Sequence, residues 1–214
     1  MRSFPFPITL ATIQQAVAAF GGLAITPVST AAPAGVTALL RDWRRHTPVV
    51  APVGAVMVVA LISYRWSLMS VSVSFTHTVK TLGPVFTILF SRLLLGERLP
   101  LGRYCTVLPI ILGVAITTAT EAEFFLVGFV AATTSTVAQA LQSVLAKRAL
   151  RERELPRGEF FSLTAFCAFG LLLPLFLIVD AWRLHAMSPA RGALHTCRWL
   201  LFNALCSFVN QYAG

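Results

Sequence analysis

Charged residues are scarce in this sequence of 214 residues. They make up 12% of the chain, whereas an ordinary globular domain has roughly 25%. The hydrophobic share is 57% and the mean hydropathy is +0.77, and this apolar content also excludes a disordered basic chain. The composition therefore indicates an integral membrane protein rather than a soluble domain.

Motifs of enzyme active sites are also missing. The sequence contains no HExxH, GxSxG or P-loop motif. Asp42 and Asp180 are its only aspartates, and both lie at the ends of apolar runs, so the paired aspartates of a membrane protease are absent. The four cysteines form no CxxC pair and are expected to be small buried side chains. We therefore predict no enzymatic activity, no catalytic residue, no metal site and no cofactor.

Long apolar segments are abundant instead. A membrane-spanning helix needs about 17 to 25 predominantly apolar residues. The predicted helices comprise residues 5–28, 48–66, 70–93, 100–119, 124–146, 160–179 and 197–213. The sequence therefore predicts an all-α polytopic membrane protein in which residues 1–214 belong to one transmembrane domain.

The net charge of +9, from 17 Lys and Arg against 8 Asp and Glu, would suggest nucleic-acid binding in a soluble protein. Here the cations lie mainly in the connections between apolar runs, as the positive-inside rule requires. One side of the predicted topology holds eleven cations: Arg41, Arg44, Arg45, Arg92, Arg98, Arg103, Lys147, Arg148, Arg151, Arg153 and Arg157. The other side holds five: Arg2, Arg65, Arg183, Arg191 and Arg198. We expect the eleven-cation side to face the cytoplasm, and we expect no nucleic-acid partner.

This orientation places the first residue of the chain outside, which is unusual for a polytopic protein without a signal peptide. One further upstream helix would return the N-terminus to the cytoplasm. The chain also stops at Gly214 without a polar tail after the last apolar run. We therefore expect a fragment that lacks helices at both ends, with a targeting segment at the start and a natural end at Gly214 as the alternatives.

Lys80 does not fit the topological pattern of the other cations. It is the fifteenth of the 26 residues between Arg65 and Arg92, about 20 Å from either end of a continuous helix. An ammonium at that depth costs at least ~2.5 to 3.5 kcal/mol, and a lysine side chain is too short to reach either surface. We predict that Lys80 faces a cavity and binds an anion, and that Gly83-Pro84 bends the helix just beyond it.

Polar side chains on two predicted helices could line that cavity. His77 lies one helical turn before Lys80, and Gln139 and Gln142 lie on one side of the fifth predicted helix. Polar side chains also join membrane helices through hydrogen bonds, and for His77 and the Ser and Thr residues beside the glutamines both interpretations stay open. The candidate substrate-binding residues are Lys80, His77, Gln139 and Gln142.

The sequence around Lys80 resembles the triose-phosphate translocator family. The resemblance is specific in residues 71–80, 83–86 and 91–97, and it continues more loosely to Lys147-Arg148. This family of sugar-phosphate and phosphoenolpyruvate exchangers lies in the drug/metabolite transporter superfamily, beside the nucleotide-sugar transporters. The resemblance implies ten helices in two inverted five-helix halves, of which this chain would contain the second to the eighth. It also implies that Lys80 is a phosphate-binding lysine.

The sequence departs from the family pattern at positions expected to contact substrate. Gln142 stands where the phosphate exchangers have an arginine, and Leu61 and Tyr64 stand where the plastid exchangers carry histidine and threonine. A phosphate dianion taken from water needs more than one cation, because each paired charge offsets only part of the desolvation cost. These departures argue against the narrow triose-phosphate specificity of the plastid exchangers.

Together these observations predict an antiporter of phosphorylated organic anions such as sugar phosphates, working by alternating access in a Golgi, endoplasmic reticulum or plastid envelope membrane. One alternative is a nucleotide-sugar transporter of the Golgi or endoplasmic reticulum. The other is a truncated membrane protein that does not transport. The expected partners are a small anionic substrate and the lipid bilayer, and the oligomeric state stays open.

Overall fold

The computed structural model describes residues 7–29, 36–97, 100–120, 125–153, 157–180 and 201–209, and every regular element in these ranges is a helix. The helices are α1 Pro7–Ser29, α2 Val36–Ser70, α3 Val73–Lys80, α4 Gly83–Leu95, α5 Leu101–Cys105, α6 Val107–Thr120, α7 Leu126–Arg153 and α8 Arg157–Val179, and α9 comprises residues 201–209. The predicted starts at 5, 124 and 197 and the predicted end at 213 lie outside the described residues.

Four segments of the described chain are long and apolar enough to cross a membrane. They are His46–Ser70, Val73–Leu95, Gly102–Thr120 and Arg157–Val179. The second segment contains α3 and α4, and the third contains most of α5 and all of α6. The protein is therefore an all-helical polytopic membrane protein, as its composition predicts, whereas the count of seven spans stays a prediction.

Helix α2 is much longer than the predicted helix 48–66. It begins at Val36 and ends at Ser70, and it continues through Pro48 and Pro52. Proline removes one backbone donor but fits the helical φ angle, so a long helix with tertiary contacts tolerates it at a cost. The charged residues before position 46 suggested a connection, but charged side chains are compatible with a helix that extends beyond the bilayer.

The chain forms two compact units. The first contains Met1–Ala55 and Ala149–Gly214, and the second contains Val56–Arg148. The boundaries therefore lie inside α2 and inside α7.

The first unit is built on the packing of α1 against α8. Contacts at Thr9 with Asp180 and at Gly22 with Ser162 show that the two helices are antiparallel. The Asp180 carboxylate, only 2% exposed, accepts hydrogen bonds from the backbone N–H and the hydroxyl of Thr9, both at 2.8 Å. Because Thr9 lies in the first turn of α1, the helix dipole also favours this negative charge. A Cβ on Gly22 would collide with Ser162, so a small residue is required there.

One buried apolar cluster of the second unit lies where α3 meets α7. Phe75, Val79 and Ala132 are fully buried there, with Val71, Leu82 and Phe129 packed around them. Ser135 on α7 acts in packing, because its hydroxyl donates to the carbonyl of Ala60 on α2 at 3.0 Å. The packing interpretation of the Ser and Thr residues is therefore confirmed for Ser135.

An ion pair joins the connection after α4 to helix α7 in the second unit. Lys147 Nζ lies 2.7 Å from Glu97 Oε2, and Glu97 follows the left-handed Gly96 (φ 64°) that ends α4. The end of α4 and the C-terminal part of α7 therefore lie at the same end of this unit. Both belong to the side of the predicted topology that holds eleven cations.

Candidate functional site

The helix that carries Lys80 is interrupted directly after it. Helix α3 ends at Lys80 and α4 begins at Gly83, and the N–H of Leu82 bonds the carbonyl of Val79 at 3.1 Å in a tighter turn. Pro84 has no N–H for the carbonyl of Lys80, and its ring crowds that carbonyl. The space around Gly83 is open to at least 4 Å, so Pro84 rather than close packing explains the break. The predicted weakening of the helix just beyond Lys80 is confirmed by this interruption, whereas the bend stays a prediction.

Lys80 lies inside a span but not at its centre. It is the eighth residue of the 23-residue segment Val73–Leu95, about 10 Å from the beginning of that segment. The sequence suggested a central position because the stretch between Arg65 and Arg92 was treated as one continuous helix, whereas α2 continues to Ser70 and α3 begins at Val73. The ammonium is half-buried.

The aromatic ring of Tyr64 on α2 joins the two predicted site residues of α3. Lys80 Nζ lies 4.0 Å from the centre of this ring, within the range of a cation–π interaction. The ring of His77 meets the same ring edge-on, with 6.2 Å between centroids and 69° between planes. His77 itself is exposed. The structure therefore brings Lys80 and His77 together around Tyr64, a residue that the sequence marked only as a departure from the family.

Arg65 is a second cation at this ring. Its Cζ atom lies 5.8 Å from the centroid of Tyr64, and its Nε atom is buried. Arg65 lies in the helical segment His46–Ser70, five residues before the end of α2, rather than in the connection after it. No spacing rule reveals its proximity to Lys80, since that proximity depends on how α2 packs against α3.

Two buried hydroxyls hold the faces that carry the site. Ser67 lies one turn after Tyr64, and Thr76 lies one turn before Lys80. Their hydroxyls are 3.0 Å apart, both residues are 0% exposed, and Ser67 also donates to the carbonyl of Gly128 on α7 at 3.2 Å. This contact fixes α2, α3 and α7 to one another. The sequence shows that Ser67 shares a helix face with Tyr64 and that Thr76 shares one with Lys80. It does not show that the two hydroxyls are in contact.

The glutamines of α7 stand apart from this arrangement. Gln139 is exposed and Gln142 is half-buried. Neither amide hydrogen bonds to Lys80, His77 or Tyr64. Their place in the site stays a prediction.

We call Lys80, Arg65, Tyr64 and His77 the cation cluster. It concentrates positive charge inside two spans, and such charge attracts an anion. Within the described ranges, no three His, Cys, Asp or Glu side chains come together as metal ligands. No carboxylate among the described residues forms an ion pair with Lys80. Anion binding by the cluster stays a prediction.

A sequence model of the Triose-phosphate Transporter family matches residues 1–213. The chain belongs to this family. Its match to phosphoenolpyruvate/phosphate translocator 2 of Arabidopsis thaliana is 31% identical and covers 96% of the chain but 52% of the relative. The triose phosphate/phosphate translocator of Brassica oleracea var. botrytis is 30% identical over 68% of the chain and 38% of the relative. The chain thus spans about half the length, or less, of these chloroplast relatives.

The fold of this triose-phosphate transporter family member is shared with a crystal structure. The two chains superpose with a TM-score of 0.61 at 19% identity, over 99% of this chain and 70% of the other. The relatives are translocators by name, which agrees with the predicted absence of enzymatic activity.

Proposed function

We propose that this protein is an antiporter that exchanges phosphorylated organic anions for phosphate by alternating access. Lys80 binds the phosphate group of the substrate, His77 orients it, and Gln139 and Gln142 line the path. The observation that carries the proposal is the ammonium of Lys80 inside a membrane span, over the ring of Tyr64, without a carboxylate ion pair among the described residues. Such a cation is expected to serve function, because the bilayer penalises it otherwise.

Two further observations support the transport proposal. The interruption after Lys80 resembles the broken helices that bind substrate in secondary transporters. The relatives exchange phosphoenolpyruvate or triose phosphate for phosphate, according to their names, and both are chloroplast proteins. We therefore propose the plastid envelope as the location, in preference to the Golgi or endoplasmic reticulum.

The proposal is tested by counter-exchange in liposomes. The protein is reconstituted in vesicles loaded with phosphate, phosphoenolpyruvate, triose phosphate or a nucleoside monophosphate, and uptake of labelled phosphate is measured. Lys80→Ala should reduce exchange by roughly 10- to 100-fold, because a hydrogen bond to a charged group contributes about 1.5–3 kcal/mol. Lys80→Arg keeps the charge and should retain part of the activity. Lys147→Ala is the matched control, since Lys147 pairs with Glu97 outside the cluster, and it should exchange like the wild type.

Each result has a defined meaning. Normal exchange by Lys80→Ala would show that Lys80 is not the anion site. Uptake of a labelled nucleotide sugar that is stimulated by internal nucleoside monophosphate, without uptake of labelled phosphate, would replace this proposal with nucleotide-sugar transport. If the wild type neither binds nor exchanges any phosphate compound, the result would support a non-transporting membrane protein.

A further inference from the structure

Two cations share one aromatic ring in the second unit. Lys80 Nζ lies 4.0 Å and Arg65 Cζ lies 5.8 Å from the centroid of Tyr64, so less than 10 Å separates the two cationic groups. Like charges at this distance repel one another, and the negative face of an aromatic ring offsets part of that repulsion. The arrangement keeps two positive groups together inside the membrane spans.

Snorkelling accounts for only part of the Arg65 side chain, which is half-buried. A snorkelling arginine extends its guanidinium toward water and leaves only its aliphatic stem among apolar groups. In Arg65 the Nε atom, which belongs to the charged head, is buried, and the guanidinium lies against the ring of Tyr64. Part of the charged head of Arg65 therefore stays near the ring that Lys80 also contacts, although the end of α2 is only five residues away.

We propose that Arg65 is a second anion-binding cation of this site, and that the ring of Tyr64 positions Arg65 and Lys80 for a dianionic phosphate monoester. The inference rests on the proposed transport function and adds the charge class of its substrate. A dianion needs more than one cation, and the guanidinium fork can bind two phosphate oxygens at once. Arg65 supplies the charge that the departure at Gln142 removes.

The ring of Tyr64 acts as a positioning group rather than as a ligand. A cation–π contact is weaker than a charge-assisted hydrogen bond to phosphate. An arriving phosphate can therefore take both cations from the ring, and its release returns them to it. Because the ring already holds the side chains of Arg65 and Lys80 in place, less conformational entropy is lost when phosphate binds, and this favours affinity.

The test compares two probes of the same shape and different charge. Methyl phosphate at alkaline pH is a dianion and methyl sulfate is a monoanion, and each is measured as a competitor of labelled inorganic phosphate on the purified protein in lipid nanodiscs. A second cation should favour the dianion, so the wild type should bind methyl phosphate at least about tenfold more tightly than methyl sulfate. Arg65→Gln should remove most of this preference, and Arg65→Lys should keep most of it.

Four variants separate positioning from general damage. Tyr64→Phe keeps the ring face and should bind methyl phosphate within about twofold of the wild type, whereas Tyr64→Leu should bind about tenfold more weakly. Arg92→Gln and Tyr104→Leu are the matched controls, because Arg92 Nη1 contacts Tyr104 Oη at 3.4 Å outside the cluster. Both controls should bind like the wild type.

The outcomes distinguish this inference from the transport proposal. If Lys80→Ala abolishes phosphate binding while Arg65→Gln keeps the preference for the dianion, the inference is wrong and the transport proposal stands. If Arg65→Gln weakens both probes equally, Arg65 is structural and the inference is also wrong. If the wild type binds neither probe and no labelled phosphate, the proposed function itself fails.

Discussion

At the scale of single residues, the hydroxyl of Thr76 determines how α3 meets α2. Thr76 is 0% exposed, and its Oγ1 atom lies 3.0 Å from the hydroxyl of Ser67. Because Thr76 and Lys80 are one turn apart on the same face, a shift at Thr76 would move Lys80 relative to Tyr64. The hydroxyl contact therefore affects both stability and the geometry of the cation cluster.

Thr76→Val should weaken this contact with little change in volume. We expect a loss of about 1 kcal/mol in the free energy of unfolding and weaker phosphate binding, measured by thermal unfolding in detergent and by displacement of labelled phosphate. Thr78→Val is the control, because the Thr78 hydroxyl bonds the carbonyl of Ser74 in its own helix at 3.1 Å. Equal stability and equal binding in the two variants would contradict a bridging role for Thr76.

The sequence predicts some residues of the candidate site and not others. Lys80 stands out because an ammonium within a long apolar run is costly, and its place in a membrane span is found in the structure. Arg65 lies at the edge of an apolar run, where arginine is ordinary. Arg65 is next to Tyr64 in α2, and only the packing of α2 on α3 brings Lys80 to the same ring. No spacing within one helix predicts that contact between two helices.

At the scale of secondary-structure elements, Pro84 separates α3 from α4. The break was predictable, because the missing N–H and the ring of proline are local properties. The length of α2 was not, because Pro48 and Pro52 lie inside a helix that tertiary contacts hold together. Local chemistry thus predicts where a helix is weakened, and the surrounding packing decides whether it breaks.

Pro84→Ala should restore a donor for the carbonyl of Lys80 and make residues 73–95 one continuous helix. We expect an unchanged or higher melting temperature, together with phosphate binding weaker by roughly 1 kcal/mol, or about fivefold, because Lys80 turns away from Tyr64. Pro174→Ala is the control, since Pro174 lies inside α8 in the other unit. Unchanged binding by Pro84→Ala would show that the break does not orient Lys80.

At the scale of the whole molecule, the cation cluster lies entirely within the unit Val56–Arg148. Gln139 and Gln142 belong to the same unit. The unit Met1–Ala55 with Ala149–Gly214 is held by different contacts, among them the bonds from Thr9 to Asp180. All the residues proposed to bind the anion therefore belong to the second unit.

The orientation of this unit follows from its charges. The Lys147–Glu97 ion pair places the end of α4 beside the cation-rich C-terminal part of α7, and loops rich in Lys and Arg stay in the cytoplasm. The connection between α2 and α3 should then lie on the opposite side. Single cysteines can report both sides, because Met69 is 63% exposed and a Cβ at Gly102 would meet open space.

The expectation that the cysteines are buried is wrong for Cys105 and Cys206, which are exposed. Met69→Cys and Gly102→Cys are therefore introduced separately into a variant without the native cysteines. The proteins are expressed in a bacterial inner membrane and treated with a maleimide that does not cross membranes. Met69→Cys should react in intact cells, and Gly102→Cys should react only after permeabilisation, while the cysteine-free parent stays unlabelled. The reverse pattern would place the eleven-cation side outside. Arg65 lies near the same end of α2 as Met69, so this pattern would also place Arg65 in the cytoplasmic half of the bilayer. The same experiment therefore determines which side of the membrane is nearer to the cation cluster.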